Sequence, residues 1–340
     1  MLVVASITRG YFSHRRNKKL NHLKTPFLLK RRGFFYILYE NIMKTLLDLV
    51  GNTPLLDLGA LFNKDQKVSV FAKAEWLNPS GSLKDRPAKR ILTEAIKNND
   101  LTKDKIIIDS SSGNAGIAYS MIGNALGYSV NIVIPGNASR ERKNRMLQHG
   151  TNIIETDAIE GYDEALRHVH RLTEKNPDKY FFCDQYANDN NWLAHYHGTA
   201  KEIIQQLNGK TVDYFVGGVG TGGSITGIGR KLKEVFKHVT IIGIRPEVWP
   251  GIEGLKPLGS PEDIVPEIYD DTIVDQWIDI TADEAKNWAN MVAKKGFFVG
   301  QSSGAYLAAT SKLLEKIKSG NVVTIINDLG ERYFSAGLWD

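Results

Sequence analysis

From residue 43 onward, short runs of β-branched residues alternate with stretches of helical periodicity, and this alternation constrains the fold most. The apolar runs fall at 105–109, 130–134, 152–155, 212–216, 240–244 and 321–326. Helical patterns follow at 117–126, 140–149 and 163–175, and Thr281 with Glu284 forms a capping box opening a helix that ends near Gly296. Short buried strands separated by helices predict an α/β architecture with mostly parallel, twisted sheets flanked by helices. Ligands in such sheets sit beyond the carboxyl ends of the strands, so the polar loops after each run are where chemistry is expected. The stretch 246–266 is rich in Pro and Gly and has no periodicity; it reads as a long functional loop, with Trp249 packing it.

Charge is unevenly placed. Residues 1–42 hold nine Lys or Arg and one acid, Glu40, leaving 34 of the 43 basic and 37 of the 38 acidic residues to the body. The body is therefore faintly acidic, which argues against nucleic acid as its partner. Three readings of 1–42 stay open: a start at Met43, an organelle transit peptide, or a basic disordered arm. No window of 18 apolar residues predicts a membrane span. The single cysteine, Cys183, forms no internal disulfide and fits a reducing compartment, with a small buried residue as its expected role. His195 and His197 lack partners at ligand spacing, so no metal is expected.

Four loops carry candidate chemistry. In the first, 78–88, Lys84 stands just ahead of a helix whose first turn tolerates Pro87. The positive end of the helix dipole there favours the neutral amine, which can add to an aldehyde; taken alone, it reads as an ordinary surface lysine. The second, 110–116, holds Ser111, Ser112, Gly113, Asn114 and Ala115 between strand and helix, suited to a carboxylate or simply a capped turn. The third, 217–224, is glycine-rich, and Gly220, Thr221, Gly222, Gly223 and Ser224 could cup a phosphate. Gly218, Gly220 and Gly223 also satisfy G-x-G-x-x-G, with Glu247 after the next strand, so a dinucleotide oxidoreductase is a formal rival. The fourth, 300–305, contains Ser302, which could be only a helix cap.

Taken together these loops resemble the fold-type II pyridoxal-phosphate enzymes, the cysteine synthase and cystathionine β-synthase family, and among them most closely the B-type cysteine synthases. The likeness runs from residue 43 to 340 and includes the opening Leu49-Val50-Gly51-Asn52-Thr53-Pro54-Leu55-Leu56, the Lys84-Asp85-Arg86-Pro87-Ala88 segment and the closing Asp328-Leu329-Gly330-Glu331-Arg332-Tyr333.

The resemblance implies two domains, 43–188 and 189–340, with about 55–77 crossing between them. It implies pyridoxal 5'-phosphate held covalently by Lys84, its ring hydroxyl met by Asn114, its phosphate by Gly220–Ser224, and its pyridine nitrogen by Ser302. A neutral partner at that nitrogen suits β-elimination over transamination. Ser111, Ser112, Ala115 and Gln185 would hold the substrate carboxylate. The activity implied is formation of L-cysteine from an activated serine, O-acetylserine or O-phosphoserine, and sulfide through an α-aminoacrylate. Lys84 would serve as general base. A homodimer, a serine acetyltransferase partner and a cytoplasmic location are implied too, the last giving way to an organelle if 1–42 is a transit peptide. Ala115 and Ser111 stand where the family has Thr, and Lys256 stands where phosphoserine users have Arg. Related lyases (cystathionine β-synthase-like enzymes, cysteine desulfhydrases, serine dehydratases) remain the alternative. So does a catalytically silent relative that binds a partner protein, against which Lys84, Asn114 and Ser302 argue.

Overall fold

The computed structural model describes residues 27–31, 34–38, 45–62, 67–111, 113–259 and 264–339. Two units separate at residue 44. In the first, β1 (Phe27–Arg31) and β2 (Phe34–Leu38) form an antiparallel ribbon.

The second unit carries two sheets. The larger is built from β3 (Leu55–Asp57), β4 (Val68–Ala74), β9 (Tyr214–Gly218), β10 (Thr240–Pro246), β11 (Gln276–Ile280) and β12 (Gly320–Ile326). Their order is β11-β10-β9-β12-β4-β3, parallel except for the β3–β4 pair. The smaller is wholly parallel, in order β7-β6-β5-β8, from β5 (Ile106–Ser110), β6 (Val130–Pro135), β7 (Asn152–Thr156) and β8 (Tyr180–Phe182). Chain order and sheet membership therefore part company: 55–74 joins the larger sheet, while the next strand, β5, opens the smaller one.

The helices are α1 (Gly59–Phe62), α2 (Asp85–Lys97), α3 (Asn114–Ala125), α4 (Arg140–Gln148), α5 (Gly161–Lys175), α6 (Asn190–Ala194), α7 (Ala200–Gln206), α8 (Gly223–Val235), α9 (Ala282–Ala293) and α10 (Gln301–Leu314). The smaller sheet shows why its strands are continuous apolar runs. Ile107, Ile132 and Ile134 face a core with α2 and α3, while Ile108 and Val133 face another with α5. Both faces are covered, so alternation with polar residues is lost. Thr281 caps α9 through the expected box with Glu284.

Boundaries shift where tertiary pairing decides. The expected helix at 117 starts at Asn114, because the Ser111 hydroxyl accepts from the Gly116 amide at 2.8 Å and the Gly113 amide at 3.1 Å. The strand read at 212–216 lies two residues later, running into the glycines, where β10 pairs with it through Gly218. The stretch 247–259 contains no helix or strand, as expected of a long loop, but Trp249 does not pack it: its side chain is 85% exposed.

Helices α9 and α10 pack face to face at Gly304, whose added Cβ would lie 2.1 Å from the Ala285 carbonyl and 3.0 Å from the Ala289 amide. Both neighbours are backbone and cannot rotate away. Gly304→Ala should therefore lower stability by about 1–3 kcal/mol, read from denaturant midpoints at constant slope.

Candidate functional site

The start of α2 is where the chain commits the most polar chemistry to a single turn. Asp85 turns back to accept the Ser80 amide at 2.7 Å and also the Ser80 hydroxyl, closing the loop ahead of the helix. Leu83 donates to the Asn327 carbonyl at 3.0 Å, Ser82 bridges Asp328, and Arg332 donates to the Ser80 carbonyl at 2.7 Å. One residue beyond, buried Arg86 grips two carboxylates. Its guanidinium meets Glu75 at 2.6 and 2.8 Å and Glu202 at 2.7 and 2.8 Å, and Lys73 adds a contact to Glu202 at 2.7 Å. Despite partial burial, this pairing holds the Glu202 carboxyl down to about 2. Lys84 thus sits at a helix N-terminus nailed to the carboxyl end of central strand β12.

Burial pushes the Lys84 amine down to about 8, and the Asp328 carboxylate opposes the shift. The direction is the one expected from the sequence, and the largest cause is desolvation. At pH 7.5 an amine titrating there is about one-quarter neutral, against about one in a thousand for an ordinary lysine.

Lys84 lines a cleft of about 620 Å³, together with Ser111, Asn114, Ala115, Gln185, Gly220 and Thr221. These come from both sheets: Ser111, Asn114 and Ala115 follow β5, Gln185 follows β8, and Gly220 and Thr221 follow β9. Residues singled out in separate stretches of the sequence thus converge on one cavity. Gly222, Gly223 and Ser224 lie just behind it, leading into α8, and Ser302 lies buried in the first turn of α10. Ser112 lies outside the described residues.

The detailed bonding shows what each group has left to offer. Ser111 accepts two backbone amides, which fills both lone-pair directions and leaves its O–H hydrogen to donate. Asn114 donates to Asp328 at 2.6 Å and accepts from Arg332, with a second amide hydrogen remaining. Gln185 donates its side-chain nitrogen to the Ser110 carbonyl at 2.8 Å. Ser302 accepts from Asn327 at 3.3 Å, and the N-cap of α10 is Gly300, so the serine is no helix cap. Asp328 Oδ1 is buried and has no hydrogen-bond partner among the described residues.

The glycine loop is a cradle only glycine can build. A Cβ on Gly220 would stand 2.5 Å from the Gly254 carbonyl, one on Gly223 would stand 2.1 Å from Asn191, and Gly222 has φ +81°. Loop and helix α8 begin at the carboxyl end of β9, where successive amides can face an anion. The dinucleotide reading loses its acid, since Glu247 accepts the Ala282 amide at the start of α9. A half-buried amine of lowered pKa, a glycine cradle and an uncharged Ser302 together fit an aldehyde cofactor bearing a phosphate.

Asp328, Arg332, Arg142 and Glu253 belong to the site as well. Asp328 lies two residues past the end of central strand β12, where the strand-end rule looks first. Arg142 lies in the run Arg140-Glu141-Arg142-Lys143, which reads as a solvated helix face, yet it is 4% exposed and lines the cleft. Nothing in the sequence pattern marks it.

On protein freed of small molecules, modification of Lys84 by an amine-selective reagent, followed by peptide mapping, should rise with pH around a midpoint near 8. Asp328→Asn should move that midpoint lower, because the carboxylate it removes is what raises it.

Comparison with known proteins places this geometry. Residues 46–328 match the family model described as pyridoxal-phosphate dependent enzyme. The chain is 42% identical over 309 residues to a cysteine synthase of Aquifex aeolicus, covering 88% of this chain and 94% of that protein. It is 37% identical to cysteine synthase B of Pseudomonas aeruginosa, covering 87% and 97%. A crystal structure of cysteine synthase from Entamoeba histolytica superposes with a TM-score of 0.81 at 34% identity, covering 89% and 93%. The chain belongs to the cysteine synthase family of pyridoxal-phosphate dependent enzymes, with the fold-type II architecture.

Proposed function

We propose that this protein makes L-cysteine by β-replacement, exchanging the leaving group of an activated serine for sulfide. The observation that carries the reading is the Lys84 amine: half-buried at a fixed helix start, pushed down to about 8 by desolvation, and in one cleft with Asn114 and the glycine cradle. Lys84 would hold pyridoxal phosphate, with Gly220–Ser224 at its phosphate, Asn114 at its ring hydroxyl and Ser302 at its ring nitrogen. Bound there, the cofactor supplies an electron sink for charge developing at the substrate Cα.

The protein's own part is proton transfer and positioning. The neutral Lys84 amine takes the Cα proton, and the resulting ammonium, facing Asp328, holds it until the product needs it back. An amine near 8 suits both tasks, being readily unprotonated yet basic enough to accept. Ser111 offers its O–H to the substrate carboxylate, and Gln185 bounds the same end of the cleft. Ser302 offers an uncharged oxygen, which leaves more of the developing charge at Cα, where β-elimination needs it. Domains at 43–188 and 189–340, a homodimer, a serine acetyltransferase partner and a cytoplasmic location belong to the same reading on family resemblance. No helix among the described residues is long and apolar enough to cross a membrane.

Lys84→Ala should reduce cysteine formation by about a thousandfold or more. Borohydride reduction of the parent holoenzyme followed by peptide mapping should label Lys84; an unlabelled Lys84 rejects the assignment. Ala115→Thr should restore a donor at the substrate loop and lower KM for the amino-acid donor by about two- to tenfold, the worth of one hydrogen bond. An unchanged KM would remove Ala115 from the carboxylate site.

A further inference from the structure

The cleft also contains a buried cation with its own carboxylate. Arg142 pairs through Nη1 with Glu253, donates Nε to Ser139 at 2.7 Å and lies over the Tyr333 ring at 5.2 Å. A Cβ on Gly113 would stand 2.4 Å from its Nη1, so the guanidinium presses on the backbone of the substrate loop. Glu253 is on the long loop, with its amide donated to Gln301 at 3.1 Å, which ties that loop to the start of α10. Lys256, on the same long loop, is arranged likewise: it lies 3.5 Å from Asp163 and donates to the Ile264 carbonyl at 3.2 Å.

Arg142 and Lys256 are thus each matched by an acid. A donor amino acid brings one carboxylate to this cleft. An uncharged leaving group adds nothing more, whereas a phosphate ester adds close to two further negative charges. Those would face Glu253 and Asp163 while the nearest guanidinium is already spoken for. Like charges brought together in a partly dry cavity cost far more than in bulk water. A guanidinium is also the side chain best shaped to hold phosphate, so occupying it is an effective way to refuse one.

We propose that Glu253, by neutralising Arg142, sets the leaving-group class of the donor: uncharged esters are accepted and phosphate esters are excluded. The inference rests on the β-replacement reading and specifies its substrate.

The test uses holoenzyme of the parent, Glu253→Gln, and the paired Arg142→Gln/Glu253→Gln variant. Acetate release from O-acetylserine and phosphate release from O-phosphoserine give the ratio of kcat/KM values, and calorimetry gives the affinity for inorganic phosphate. Glu253 is about one-third exposed on a loop, so its amide variant should fold. The parent should prefer O-acetylserine. Glu253→Gln should shift the ratio toward O-phosphoserine by about tenfold or more and tighten phosphate binding, and the paired variant should lose that gain. A parent that already favours the phosphate ester, or an E253Q ratio unchanged within about twofold of the parent's, overturns the proposal. If the parent releases neither product, the β-replacement reading falls. Phosphate affinity then decides this one, with equal affinity in parent and Glu253→Gln overturning it.

Discussion

The site depends on holding one amine partly out of water without giving it a tight ionic partner. A lysine left to solvent stays charged, and one clasped by a carboxylate stays charged more firmly still. Here the backbone does the holding. Leu83 is bonded to Asn327, Ser82 bridges Asp328, and the Arg332 side chain grips the Ser80 carbonyl, so the turn is fixed through its own main chain to the residues just past β12. Asp328 is near enough to be felt but is itself engaged by Asn114 and Tyr333. The strong charge pairing falls at Arg86, two positions further on, where it anchors the helix without touching the amine's balance.

That displacement of charge also explains the burial of so much ionic material. Arg86, Glu75, Glu202 and Lys73 form a network in which each carboxylate has more than one donor. Removing a single member would strand a charge in the interior, which costs more than the intact network contributes. The network ties the segment at Gly51 and Asn52 to α7 and to the first turn of α2. It is a positioning device for the elements around Lys84 more than a source of stability.

Much of this was legible in the sequence. Lys84, Ser111, Asn114 and the glycine loop could be found because each lies where a strand ends or a helix begins, and local residue chemistry marks such places. The α/β class was legible for a similar reason: Ile107 and Ile108 face opposite cores, so the run is apolar throughout. What escaped was fixed by distant partners. Arg142 sits in a run of charges that looks solvated, and only packing of α4 against the Tyr333 segment and the long loop buries it. Trp249, an aromatic in a Pro/Gly-rich loop, looked like a packing residue and points outward. The cause given for the lowered Lys84 amine was also incomplete, since desolvation depends on how deep the turn is seated, which helix position does not reveal.

The pairing of β4 with β12 joins residues 68–74 to 320–326 across almost the whole length of the second unit. The smaller sheet, by contrast, is drawn from one continuous stretch between Ile106 and Phe182. During synthesis, that sheet can close while much of the chain is still on the ribosome, but the lysine turn has nothing to lean on until the last strand emerges. Nascent protein can therefore bury the interior of its smaller sheet before it possesses a reactive amine.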